Sequence, residues 1–228
     1  MPLPEFLALP LFRLIYPWVR RMEGSPAAPI RRRVISLDPR ISYEFNRLFN
    51  TWLPRRAEQP IEYDLPYPKI DFLNYLCDWR GLVAHGSNQP NLKTLEPIRL
   101  SRDVTDFGNR QQIFASPDAI WALWFAILDR EKYRRTRNGC VAIGGGERRE
   151  KYYHFELERA LAGQFPFTAG TLYFARPEDF PWRHRLWALD LFGGEYEEWG
   201  SEAPVRPIAQ IRVEPADFPY LDRVEYCL

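Results

Sequence analysis

Gln112-Ile113-Phe114-Ala115-Ser116-Pro117-Asp118-Ala119-Ile120-Trp121-Ala122-Leu123-Trp124-Phe125-Ala126-Ile127-Leu128 is the stretch on which the fold turns. Its first four residues read as a short apolar strand. Ser116-Pro117-Asp118 then has the grammar of a helix start: Ser as N-cap, Pro at N1 where no N–H is needed, and an acidic side chain near the positive end of the helix dipole. From Ala119 to Arg130 almost every position is apolar, so no face is left for water. Such a helix is expected inside a core rather than on its surface.

Upstream, Gly81-Leu82-Val83-Ala84-His85 reads as another short strand, stopped by the turn cluster Gly86-Ser87-Asn88. Residues 88–110 follow as a long polar loop with isolated Leu92, Leu95 and Leu100, and loops of that length are usually functional or disordered. Ile70, Leu73, Leu76 and Cys77 predict a short helix ending near Arg80-Gly81, after a Pro-rich connector over 54–68. Ile41, Phe45, Leu48, Phe49 and Trp52 fall at helical spacing behind Asp38 as N-cap and Pro39 at N1. Residues 20–33 read as a linker, with Arg31-Arg32-Arg33 as a solvated basic turn. The Leu- and Phe-rich strip over 2–19 is broken by Pro4, Pro10, Arg13 and Pro17. A membrane span needs about 20 mostly apolar residues, and a secretory leader carries its basic residues before the apolar run. The strip is therefore expected to pack on the domain or on a partner.

Downstream, Val141–Ile143, Tyr152–Glu158, Thr171–Phe174 and Ile208–Val213 are the strand candidates. Gly144-Gly145-Gly146 reads as a hairpin turn, not a phosphate cradle: the glycines are consecutive, without G-x-G-x-x-G spacing or a following Lys-Ser/Thr. The whole is α+β, with an N-terminal extension over 1–66 and the main domain over 67–228.

Composition narrows the function classes. A chain of 228 residues buries about 70% of its unfolded surface and needs no disulfide or metal staple. With 31 Lys plus Arg against 30 Asp plus Glu, global charge does not argue for a nucleic-acid partner. At 46% apolar and 15% aromatic, the chain is not disordered. Cys77, Cys140 and Cys227 are odd in number, widely spaced and lack C-x-x-C, which speaks against a disulfide framework or structural zinc and for a reducing, cytoplasmic setting. His85, His154 and His184 show no ligand spacing, so no metal is expected. No G-x-S-x-G nucleophile elbow is present.

Three separated pieces carry the sharper signal: Leu82-Val83-Ala84-His85-Gly86-Ser87, then Phe107-Gly108-Asn109 with Ile113-Phe114-Ala115-Ser116 and the apolar helix, then Glu197-Glu198-Trp199-Gly200-Ser201 ahead of Pro204-Val205. In this order they resemble the ADP-ribosyltransferase superfamily, in its diphtheria-toxin and poly-ADP-ribose-polymerase branch, whose motifs are read as His, Tyr and Glu. The resemblance spans residues 72–218. It implies a split β-sheet core with a buried central helix. It also implies NAD as substrate, nicotinamide as leaving group, and a protein or nucleic-acid acceptor. Toxins and effectors, with their inhibitor proteins, belong to the same superfamily, so such a role and such a partner are among the expectations.

The resemblance assigns roles residue by residue. His85 matches the His that bonds a ribose hydroxyl of NAD. Gly86 matches the glycine whose backbone holds the nicotinamide amide, where a missing side chain permits close approach. Ser87 completes that motif, and Phe114 and Ser116 line the second. Trp124 stands where the family places an aromatic that stacks on nicotinamide. Glu198 matches the Glu that holds the nicotinamide ribose, where a fixed carboxylate stabilises the developing oxocarbenium charge; Glu202 is the fallback. Arg102 and Arg110 are candidates for the NAD phosphates. There are two departures: Ile113 stands at the usual Tyr, and Trp121 at the usual Ser. They leave two alternatives open, NAD hydrolysis without transfer and a non-catalytic nucleotide- or partner-binding module. The RNA 2′-phosphotransferases share the fold and an H-G-[ST] motif, but their extra basic residues have no counterpart that can be placed here.

Overall fold

The structure, a computed structural model, describes residues 3–22, 25, 28–34, 37–55, 57–98, 107–145 and 149–228. Its α-helices are α1 (Glu5–Met22), α2 (Pro39–Trp52), α3 (Lys69–Asn74, continued by a wider turn over Tyr75–Trp79), α4 (Ala119–Ile127) and the short α5 (Trp187–Asp190). Its strands are β1 (Ile30–Arg33), β2 (Val83–Ser87), β3 (Ile113–Ala115), β4 (Thr136–Ile143), β5 (Glu150–Leu157), β6 (Gly170–Ala175), β7 (Trp182–Arg183), β8 (Gly194–Tyr196), β9 (Trp199–Ser201), β10 (Ala209–Val213) and β11 (Glu225–Tyr226). This is an α+β fold with mostly antiparallel pairing.

Three sheets form. One runs β1-β5-β4-β8, with β11 parallel to β5. The second is β10-β6-β2 and the third β3-β9-β7. Helix α4 lies in the main core as its composition requires, packed on β2, β6 and β10, with eight of its residues buried from Ala119 to Ile127. Its start differs from the expected one by two residues. Asp118 is the N-cap, its Oδ1 accepting from the Trp121 N–H at 2.8 Å, while the Ser116 hydroxyl accepts from the Asp118 N–H at 3.0 Å. Ser116 still extends the strand, which is why capping passes to the next polar side chain.

The N-terminal extension shares this core. In α2, Asp38 and Pro39 start the helix as expected, and Phe45 and Phe49 pack with Phe72 and Leu73 in the main cluster. Helix α1 sets Leu9 and Phe12 against Val141, Ile143 and Tyr152 of β4 and β5. The linker reading of residues 20–33 is corrected at 20–22, which end α1 with Arg20 buried against Glu156, and at 30–33. Residues 30–33 form β1, paired antiparallel with β5 so that Arg31 faces Tyr152 and Arg32 faces Lys151. Arg31 bonds Glu150 at 2.8 Å, and Arg32 bonds Asp78 at 3.0 Å. The basic turn is a strand because carboxylates on distant segments wait for its side chains.

Under β1 and β5 lies a buried ionic cluster. Lys151 Nζ is 2.9 Å from Asp78, 3.0 Å from Asp118 and 3.3 Å from Glu197. Arg149 bonds Glu197 at 2.5 Å, and the Tyr153 hydroxyl donates to Asp118 at 2.8 Å. Burial alone would discharge Lys151, but Asp118, Glu197 and Asp78 outweigh it and keep the ammonium charged. Burial would likewise protonate Asp118; Lys151 and Arg32 reverse that and hold it at about 2, below its ordinary 3.8. Glu150 is also lowered to about 2, its burial outweighed by hydrogen bonds from Arg13, Tyr152 and Arg31. Both folded values lie under the unfolded ones, so their stabilisation is present above the ordinary carboxylate range and is lost as pH falls through the folded values. The urea midpoint is therefore expected to hold at mild acidity and fall from about pH 4.5 towards pH 2. A midpoint unchanged over that window contradicts the assignment.

Candidate functional site

A single backbone bridge links the strands of the second and third sheets among the described residues. Ala84 of β2 and Ser116, just past β3, exchange both backbone hydrogen bonds, at 2.8 and 2.9 Å. Beyond this bridge β2 and β3 form no backbone ladder and belong to separate sheets. In an antiparallel ladder, backbone groups alternate in direction. Because Ala84 points at Ser116, Gly86 two residues on points its N–H and C=O the same way, past the end of the bridge and into the split. Phe114, two residues before Ser116, points back across from the other side.

His85 spans this opening. Its Nδ1 is 2.7 Å from the Phe114 carbonyl oxygen. A carbonyl only accepts, so Nδ1 carries the proton. Burial lowers the pKa of His85 below its ordinary 6.5, so the ring is neutral at pH 7. Nε2 is then left as a hydrogen-bond acceptor.

Glu198 lies on the far side of β3. The pairs Phe114–Gly200 and Ala115–Trp199 extend by register to place Glu198 opposite Ser116, which itself faces Ala84. Two strand spacings, about 10 Å, therefore separate the backbones that carry His85-Gly86 and Glu198. The side chain of Glu198 is 17% exposed, and its Oε2 is 2.7 Å from His184 Nδ1. His184 stacks on Phe107 at 4.9 Å and meets Tyr196 edge-on at 4.7 Å. Next to it, Glu197 is turned inward to Arg149 and Lys151.

The structure thus sets the His85-Gly86 segment and Glu198 on either side of β3, and it assigns several other sequence candidates differently. Trp124 is corrected to a core residue: it is fully buried, with Phe155, Phe167 and Phe218 packed against its ring, so no face is open to a ligand. Gly86 is glycine for another reason than ligand approach. A Cβ there would lie 2.1 Å from the Ala122 carbonyl oxygen of α4. Ser87 uses its hydroxyl to accept from the Gln89 N–H at 3.1 Å, which closes the turn after β2. The Ser116 hydroxyl serves the start of α4, as above. Phe114 is half-buried and meets Phe107 edge-on at 6.0 Å. Ile113 is buried with Val83 and Tyr173 in a second cluster. The Trp121 indole N–H donates to Asn138 at 2.7 Å. Glu202, the fallback, is exposed and lies 3.6 Å from Arg110. Arg102 lies outside the described residues. His184 and Phe107 are the site residues that sequence reasoning passed over as ligands.

No protein-family model, curated protein or solved structure matches the chain. Among the described residues no group of three or more His, Cys, Asp or Glu is arranged to hold a metal, and no helix is long and apolar enough to cross a membrane.

Proposed function

We propose that this chain cleaves NAD at the split between β2 and β3 and transfers the ADP-ribosyl group to a macromolecular acceptor. One observation carries the reading: β3 lies between the strand bearing His85-Gly86 and the segment bearing Glu198, and the Gly86 backbone faces the β3 side where β2 and β3 no longer form a ladder. The N–H and C=O of Gly86, which alternation turns towards the β3 side, complement a carboxamide, which offers one acceptor and donors of its own. Nε2 of neutral His85 accepts from a ribose hydroxyl. Glu198 faces the sugar as its C1′–N bond breaks. The bonding pair leaves with nicotinamide and quenches the pyridinium charge, while the positive charge moves to the sugar and meets the carboxylate. The acceptor's nucleophile then bonds C1′ and releases its proton. Water in that place gives NAD hydrolysis by the same residues.

A second reading, nucleotide binding without cleavage, draws support from Ile113 and Trp124. Both are buried in packed clusters and give nicotinamide no stacking face.

Calorimetry with NAD tests the ground-state half of the proposal. His85→Ala is expected to weaken NAD binding about tenfold, the worth of one good hydrogen bond. Equal affinity in the two proteins, or no binding by the wild-type chain, removes His85 from the site.

A further inference from the structure

We propose that His184 is a positioning residue for Glu198; the inference rests on the NAD-cleavage reading above. It starts from register. Trp182 faces Gly200 and Arg183 faces Trp199 across β7 and β9. One step on, His184 faces Glu198, and the His184 N–H donates to the Glu198 carbonyl at 2.9 Å. Directly opposed residues share a face of the ladder, so the two side chains meet without either reaching. Their contact of 2.7 Å is a short hydrogen bond in which the Glu198 carboxyl oxygen Oε2 accepts from His184 Nδ1–H.

A glutamate at a strand end has three side-chain torsions to lose, and a carboxylate that swings does not preorganise a field. Here the surroundings remove that freedom. The imidazole is clamped between the face of Phe107 and the edge of Tyr196. Its bond to Oε2 fixes the carboxylate plane and leaves Oε1 for the sugar. The preceding residue, Glu197, is held inward by Arg149 and Lys151. The neighbouring cation, Arg183, is turned away: it stacks over Trp199 at 3.3 Å and donates to the Phe180 carbonyl. His184 is thus the side chain that sets the orientation of Glu198.

The test separates the donor from the ring. His184→Phe keeps a planar face on Phe107 and removes the donor. His184→Asn loses the stack but places an amide N–H close to the position of Nδ1. Steady-state nicotinamide release from NAD is followed in both intact variants and in wild type. Expected for H184F is a kcat lowered about a hundredfold, the usual cost of a misplaced reacting group, with KM for NAD unchanged; H184N is expected to regain most of that rate. Should Phe not be accommodated, His184→Leu supplies the donor-free form. Wild-type turnover in the donor-free variant, or equal loss in it and in H184N, overturns the positioning role and leaves the NAD reading standing. A wild-type chain that releases no nicotinamide defeats both together.

Discussion

Replacing Glu198 with Gln is expected to leave NAD affinity nearly intact and to lower nicotinamide release by about a hundred- to a thousandfold. The amide has almost the shape of the carboxylate, so ground-state contacts survive, and His184 Nδ1–H can still donate to the amide oxygen. What disappears is the negative charge, which matters most when the sugar becomes cationic. The expected signature is therefore a fall in kcat with little change in KM. Single-turnover and steady-state rates measured beside calorimetry check it. Full turnover in E198Q, with the rate lost instead in Glu202→Gln, would move the carboxylate role to Glu202 despite its exposed position beside Arg110.

The second large effect concerns stability. Lys151 is 1% exposed and meets three carboxylates, from the end of α3, the start of α4 and the segment before β9. Lys151→Met fills a similar volume but leaves Asp78, Asp118 and Glu197 without their shared cation. Removing one partner of a buried ionic group costs about 3–5 kcal/mol. For a chain of this size, that lowers the thermal midpoint by about 6–20 °C. The exposed i,i+3 pair of Glu44 and Arg47 provides the contrast, since Arg47→Met is expected to change stability by no more than about 0.5 kcal/mol. Melting curves for the two variants check the pair of expectations. Equal midpoints would mean that the buried cluster adds nothing. The cluster also joins β1 of the N-terminal extension, through Arg32, to the N-terminus of α4 and the anchor of Glu198. Damage there is expected to reach the candidate site as well as the fold.

Local rules reach some of this structure and stop short of the rest. Helix α2 begins where Asp38 and Pro39 say it should, because capping depends on residues adjacent in sequence. The burial of α4 is legible in its composition, β6 in its apolar run, and β5 and β10 in their β-branched and aromatic residues set among polar ones. By contrast, β1 reads as a basic turn, since nothing within four residues of Arg31 or Arg32 announces Glu150, Asp78 or Asp118. Strand pairing across more than a hundred residues is decided by the sheet and not by the strand. The site divides in the same way. His85, Gly86 and Glu198 stand in recognisable local patterns. His184 does not: β7 is two residues long, too short to show alternation, and only its register against β9 sets His184 beside Glu198. Trp124 misleads for a related reason. An indole on an all-apolar helix looks the same in sequence whether its face meets a ligand or Phe155 and Phe218.

The central claim is that the split beside Gly86 holds NAD and that Glu198 drives departure of nicotinamide. It is tested most directly by the time course of free nicotinamide when the intact chain is mixed with NAD, run in parallel on wild type and E198Q. The expected result is steady release by wild type and release slower by about two to three orders of magnitude in E198Q. Absence of release by wild type, or equal release by the two proteins, would contradict it.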